Sequence, residues 1–158
     1  MKFADFIASA AIEANIEADA KEGVIREMVQ SLVSADKLVA GESESIVKTI
    51  LKREELGSTG IGRGVAVPHA KHASVKKPVG TVAVSQLGVD FNSLDGEKVQ
   101  LIFLVISPPD RPGDHLRILE NISRQLRDDT FCKFLKQAKT TEDIRHLLEE
   151  ADNNHFGT

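Results

Sequence analysis

Residues 99–107 read Val-Gln-Leu-Ile-Phe-Leu-Val-Ile-Ser, apolar at every position but the second and the last. A strand with one wet face alternates polar and apolar residues. This one does not, so it reads as a strand at the centre of a sheet, covered on both faces. The stretch after it, Pro108-Pro109-Asp110-Arg111-Pro112-Gly113, cannot continue a hydrogen-bonded ladder and is expected to be a turn or loop. Before it, residues 79–87 read as a second long strand and residues 65–67 as a short one.

Helical spacing surrounds these strands. A first helix is expected from near Asp19, which can cap it with Glu22, and Val24, Ile25, Met28, Val29, Leu32 and Val33 form its apolar stripe, ending before Gly41. A second runs from about Glu42 to Glu55, buries Ile46, Val47, Ile50 and Leu51, and stops at Gly57, with Arg53 in its last turn. Three more follow: residues 114–127 (Leu116, Leu119, Ile122, Leu126), residues 130–137 (Phe131, Phe134, Leu135) and residues 141–150 (Ile144, Leu147, Leu148). Thr140 and Asp143 have the spacing of a cap for the last. Helices outside, a few strands inside and no internal repeat predict an α/β (α+β) single domain, a mixed central β-sheet flanked by helices on both faces. The domain is expected over residues 1–150, with residues 151–158 as a flexible tail.

Composition excludes several functions. The 158 residues carry 20 Lys and Arg against 24 Asp and Glu, with the signs interspersed and no Trp or Tyr. Nucleic-acid binding wants clustered cations and stacking aromatics, so no nucleic-acid partner is expected. No run approaches the roughly 18 apolar residues that span a bilayer, so no direct membrane insertion is expected. The first five residues hold one lysine and an acid, and the apolar run from Phe6 to Ile12 is short for a secretory signal. With Cys132 as the single cysteine, these features favour a reducing, cytoplasmic location.

Chemistry concentrates between Arg53 and Lys71, where Gly57, Gly60, Gly62 and Gly64 precede Val-Ala-Val-Pro-His69. Glycines let backbone N–H groups approach an anion closely, and Pro68 restricts Val67 to extended geometry. His69 reads either as a turn histidine after a strand or as a nucleophile. Imidazole accepts a phosphoryl group near neutral pH, and Arg53, Ser58, Thr59 and the loop amides, including those at Gly60 and Gly62, are candidates to receive the phosphoryl oxygens. Arg63 is a further candidate, although a loop arginine is ordinarily a solvated charge. His115 follows the loop that ends the central strand. Near a helix N-terminus it is expected to stay neutral and to donate an N–H to a phosphoryl oxygen. His72, His146 and His155 read as a loop, a polar helix face and a tail.

Two near-motifs fail. Gly57 to Gly62 has the Gly-x4-Gly spacing of a phosphate-binding loop, but Arg63-Gly64 stands where that motif needs Lys and Ser or Thr. His69 and His72, with His115 or Cys132, would form the core of a metal site, yet no ligand spacing supports one.

Arg53-Glu54, Thr59-Gly-Ile-Gly62 and Ala66-Val-Pro-His69, with Asp19-Ala-Lys-Glu22 before them and His115-Leu116 after, resemble the type-2 enzyme IIA family of the bacterial sugar phosphotransferase system, fructose/mannitol type, including its nitrogen-regulatory branch. The resemblance spans nearly the whole chain. It implies that His69 is the phosphohistidine site, that Arg53 and His115 flank the phosphoryl group, and that Thr59 helps to position it. It also implies an HPr-like phosphocarrier as donor and, as acceptor, a cysteine on a IIB component or, in the nitrogen-type branch, a regulatory protein target. Neither metal nor cofactor is needed for such transfer. Ala70 replaces the glycine often found after the histidine, and the proline-rich segment before His115 is unusual.

Overall fold

The computed structural model describes residues 1–154, in which α1 (Lys21–Ser34) and α2 (Ser43–Glu55) precede β1 (Gly60–Gly62), β2 (Val65–Ala66), β3 (His69–Lys71), β4 (Val79–Val89) and β5 (Val99–Ser107), and α3 (Pro112–Gln125), α4 (Asp129–Gln137) and α5 (Thr141–Asp152) follow. β5 is the spine of a mixed sheet. On one side it pairs in parallel with β2 (Val65 opposite Leu101) and then β3 (His69 opposite Val105, Lys71 opposite Ser107). On the other it pairs antiparallel with β4, from Val79 opposite Ile106 to Val89 opposite Val99, and β1 adds to β2. The expected two-faced burial of residues 99–107 is what the structure shows. Ile102, Leu104 and Ile106 face the layer of α1 and α2, whereas Leu101, Phe103 and Val105 face α3, α4 and α5. All six are inaccessible to solvent. Fully burying a side chain of this kind is worth roughly 1.5–3 kcal/mol, so this one strand anchors both layers.

The chain before α1 closes the free edge of β4. Its backbone bridges Ile7 to Gly80, Glu13 to Ala83 and Ala20 to Asp90, satisfying an edge that would otherwise be open to another chain. Phe3 enters the core against Phe103 and Phe131, with Phe6 beside it. A Cβ at Gly80 would stand 2.6 Å from the Leu104 carbonyl and 3.3 Å from the Phe6 ring, so only glycine fits where this segment crosses the sheet.

Several expected boundaries shift for identifiable reasons. Asp19 does not cap α1, which starts at Lys21 after an uncapped Ala20, because Lys21 is drawn inward by a buried acid. Pro112 and Gly113 belong to α3 and not to the loop: proline at the first helical position has no N–H to leave unpaired. Ile118, not Leu116, belongs to the buried face of α3, and Leu116 is 58% exposed. Phe134 is likewise 44% exposed. α4 starts at Asp129 and is capped by Asp128, whose side chain accepts from the Phe131 amide; Thr140 caps α5 as its spacing predicts, accepting from the Asp143 amide. α5 continues two residues past the expected end, burying Ala151 and placing the Asp152 carboxylate on the amides of Phe3 (2.7 Å) and Ala4 (2.9 Å). Residues 151 and 152, expected to belong to a tail, are thus helical, and residues 155–158 of that expected tail lie outside the described residues.

A carboxyl pair ties the N-terminal segment to α1. Glu13 accepts from the Ser31 hydroxyl, and Glu27 accepts from the amides of Glu17 (3.1 Å) and Ala18 (2.9 Å). Burial, then the hydrogen bond with Glu27, pushes the Glu13 carboxyl up to about 7. Glu27, although burial opposes it, is held below the usual range by Glu13 and the two amides. A raised carboxyl binds its proton more tightly in the folded state, so the stability it contributes is complete below the ordinary glutamate value and is lost as pH climbs through about 7. The opposite contribution from Glu27 is lost only as pH falls through its lowered value, in a more acidic window. Glu13→Gln, which keeps a neutral side chain at every pH, is expected to melt progressively higher than the parent as pH rises from 5 to 7, the gap levelling off above that. Thermal unfolding of both proteins across that range checks this; a gap that does not change with pH contradicts it.

Candidate functional site

The alternation of β3 and its register with β5 set the site. His69 and Lys71 lie opposite Val105 and Ser107, so all four side chains belong to the face that carries α3, while Ala70 packs on the opposite side. α3 delivers His115 from its first turn onto this face. Arg53 comes from the other layer, in the last turn of α2, around the outer edge of β3. Together with Thr49, Ala70, Lys71 and Leu119, these three residues line a cavity of about 350 Å³.

Each imidazole is held by one nitrogen. His69 Nδ1 lies 2.7 Å from the Val67 carbonyl oxygen. A carbonyl only accepts, so Nδ1 carries the proton and donates it, and Nε2 keeps its lone pair. His115 Nδ1 lies 2.6 Å from the Ser107 hydroxyl. The two rings are 5.5 Å apart and tilted at 53°. Burial lowers the pKa of His69; the Val67 carbonyl opposes this and the Arg53 charge adds to it. His115 is lowered to about 4 by burial first, then by His69 and Lys71. Both rings are therefore neutral at pH 7.

Arg53 donates from Nη1 to the Gly57 carbonyl at 2.9 Å, closing the end of α2. Neither Arg53 nor Lys71 has a carboxylate partner among the described residues, so two uncompensated cations border a cavity with two neutral imidazoles. That arrangement suits a dianion and a nitrogen nucleophile.

The remaining sequence candidates are elsewhere. Thr59 is buried, and its amide and hydroxyl both donate to the Glu54 carboxylate. The Ser58 hydroxyl donates to the Phe91 carbonyl and accepts from the Gly60 amide. Gly60 and Gly62 belong to β1, next to Ser93 and Asp95. None of Ser58, Thr59, Gly60 or Gly62 lines the cavity. These groups build the path of the loop toward His69, with the Thr59 carbonyl accepting from the Val67 amide at 3.0 Å. Arg63, at φ 57°, is clamped by Asp129 at the start of α4 and by the Leu126 carbonyl at the end of α3.

His72 does not join His69. Its Nδ1 accepts from the Ser74 amide at 3.1 Å, so its Nε2–H donates to Ser45 at 2.8 Å, a clip between α2 and the end of β3. Cys132 is in the core, donating to the Leu126 carbonyl, with burial raising its thiol pKa. His146 sits near Glu142 on an exposed face, and His155 is outside the described residues.

Two groups received no role in the sequence reading. Glu54 at the end of α2 is buried, and its carboxylate pairs with Lys21 at 2.6 Å as well as with Thr59. The Lys21 ammonium also lies 5.5 Å from the centre of the Phe91 ring. This triad sets the exit of the chain from α2, one residue past Arg53. The other is Ser107, whose partner lies eight residues further along the chain.

The profile of the family described as "Phosphoenolpyruvate-dependent sugar phosphotransferase system, EIIA 2" matches residues 5–151. A fructose-specific EIIABC component of the phosphotransferase system from Bacillus subtilis is 37% identical over 152 residues, covering 96% of this chain; the chain spans 24% of that longer protein. A nitrogen regulatory protein from Bradyrhizobium diazoefficiens is 32% identical over 148 residues, 94% of this chain and 95% of that one. The crystal structure of nitrogen regulatory protein IIA-Ntr from Neisseria meningitidis superposes with a TM-score of 0.82 at 28% identity, covering 91% of this chain and 97% of that one.

Proposed function

Because the chain belongs to the EIIA type-2 family of the phosphoenolpyruvate-dependent sugar phosphotransferase system, we propose that His69 is the residue on which it carries the phosphoryl group, received from an HPr-like phosphocarrier. The observation that supports this most directly is the bond from His69 Nδ1 to Val67, which leaves the Nε2 lone pair for a cavity bordered by Arg53 and Lys71. In the reaction, Nε2 attacks the phosphorus of the donor phosphohistidine. A new N–P bond forms, and the donor ring takes the electron pair of the old one. His69 keeps its Nδ1 proton and so gains positive character, which the Val67 carbonyl stabilises. The charge spread over the phosphoryl oxygens meets Arg53, Lys71 and His115.

Onward transfer to a IIB component, for carbohydrate uptake, is our first reading of the acceptor. A regulatory output is the second, favoured by the nitrogen regulatory relatives that match over nearly their full length. Movement of label to a IIB cysteine supports the first; capture of a target protein in only one phosphorylation state supports the second. No helix among the described residues is long and apolar enough to cross a membrane, and we place the reaction in the cytoplasm.

Incubation with labelled phosphoenolpyruvate, enzyme I and HPr is expected to give an acid-labile, base-stable label mapping to His69. Since His69 lies below the usual imidazole value, the neutral nucleophile persists as pH falls, and single-turnover uptake is expected to stay level from pH 8 down through 6.5. A half-loss of rate at or above pH 6.5 contradicts the assigned environment.

A further inference from the structure

We propose that Ser107 sets the tautomer of His115, donating its hydroxyl proton to Nδ1 so that this ring offers an N–H from Nε2 to a phosphoryl group on His69. This rests on the reading of His69 as phosphoryl carrier.

The placement follows from β5. Residues 103, 105 and 107 share the α3 face of the strand, so its last side chain points to the first turn of α3, where it meets His115 Nδ1 at 2.6 Å. Ser107 is inaccessible to solvent. A buried hydroxyl proton needs an acceptor, because one left unpaired costs roughly 1–3 kcal/mol. Among the described residues Nδ1 is the partner available to it, and the Ser107 carbonyl is separately engaged by the His72 amide at 2.9 Å. With the hydroxyl donating, Nδ1 accepts, and the single proton of the neutral ring is fixed on Nε2.

His69 is bound in the opposite sense. Its partner is a carbonyl, which forces the proton onto Nδ1. Two neutral rings 5.5 Å apart thus take complementary forms, one offering a lone pair to phosphorus and the other an N–H to oxygen. A carbonyl in place of the Ser107 hydroxyl would turn His115 the wrong way, presenting a lone pair to an anionic oxygen. Ser107 is a positioning residue: it acts through His115.

Nitrogen-15 spectra of histidine-labelled, unphosphorylated protein at pH 7 read the tautomers directly. The expected result is a protonated Nε2 on His115 and a protonated Nδ1 on His69. In Ser107→Ala the His115 signals are expected to shift toward the other tautomer, with phosphoryl uptake falling about tenfold to a hundredfold, as loss of a group that orients a functional histidine does elsewhere. Ser107→Cys, with a weaker donor of similar shape, is expected to lie between, and it serves as the test if the alanine variant does not fold. A protonated Nδ1 on His115 in the parent protein, or parental tautomer and rate in these variants, overturns the proposal. If the parent instead never labels on His69, the functional reading fails while the tautomer measurement stands on its own.

Discussion

Phosphoryl uptake from phosphoenolpyruvate, enzyme I and HPr is expected to vanish in His69→Ala. Loss of a covalent nucleophile costs roughly 10⁶-fold where it has been measured in a protease, so residual label should be indistinguishable from background. The structure supplies matched controls. His72, three residues on, binds Ser45 and Ser74, and His146 stands on an exposed helix face, so His72→Gln and His146→Gln should label as the parent does. His115→Ala, which keeps the nucleophile and removes a donor, should label slowly, not fail. Gel separation of the labelled proteins followed by peptide mapping distinguishes all four. Undiminished label in His69→Ala would move the reaction to another residue and remove the basis for the roles given to Arg53 and His115.

The second large effect is on stability. Glu54→Ala is expected to cost about 3 kcal/mol, because it leaves the Lys21 ammonium without its carboxylate and strips both hydrogen bonds from Thr59. For a domain of this size that lowers the melting temperature by about 6–12 °C. The cost should come mostly from the stranded partner and not from the pair as such. Lys21→Met combined with Glu54→Leu removes the stranded ammonium, though not the two unpaired donors of Thr59, and is therefore expected to recover part of the loss. Urea or thermal unfolding of the single and double variants measures this. A loss below about 1 kcal/mol in Glu54→Ala would show that water screens the pair as it does a surface ion pair.

Those two residues also mark what a linear reading of the chain can and cannot find. The continuous apolar run at residues 99–107 was legible because burial on both faces erases any polar period, and the stripes of α1 and α2 because packing on one face imposes a period of 3.6. His69 stood out because glycines and a proline surround it, and His115 because it follows the end of the central strand. β1 and β3, of three residues each, are too short to carry a period; β3 exists through partners more than 30 residues away in β5, and β1 through β2, which is itself only two residues long. The N-terminal bridges to β4 are single pairings with no local pattern.

The placement of hydroxyls was hidden for a related reason. Ser58 and Thr59 beside a glycine-rich loop suggest anion binding, but a side chain near a site in sequence is free to turn inward, and both do. Ser107 looked like the polar end of a strand. Only the register that sets β3 beside β5, together with the return of α3 across that face, brings it to His115. Glu54 entered only beside Arg53 in a motif, since nothing local shows that a lysine 33 positions earlier comes to meet it.

The clasp of Asp152 onto the amides of Phe3 and Ala4 makes the path nearly a ring, entering and leaving at one spot. A fold with that geometry is readily spliced: a neighbouring module can be attached before or after it, or the polypeptide reopened at a surface loop and rejoined at the old ends, without disturbing the sheet. The same unit can thereby serve within a much longer polypeptide, like the Bacillus subtilis relative of which it spans 24%, or in one close to its own size.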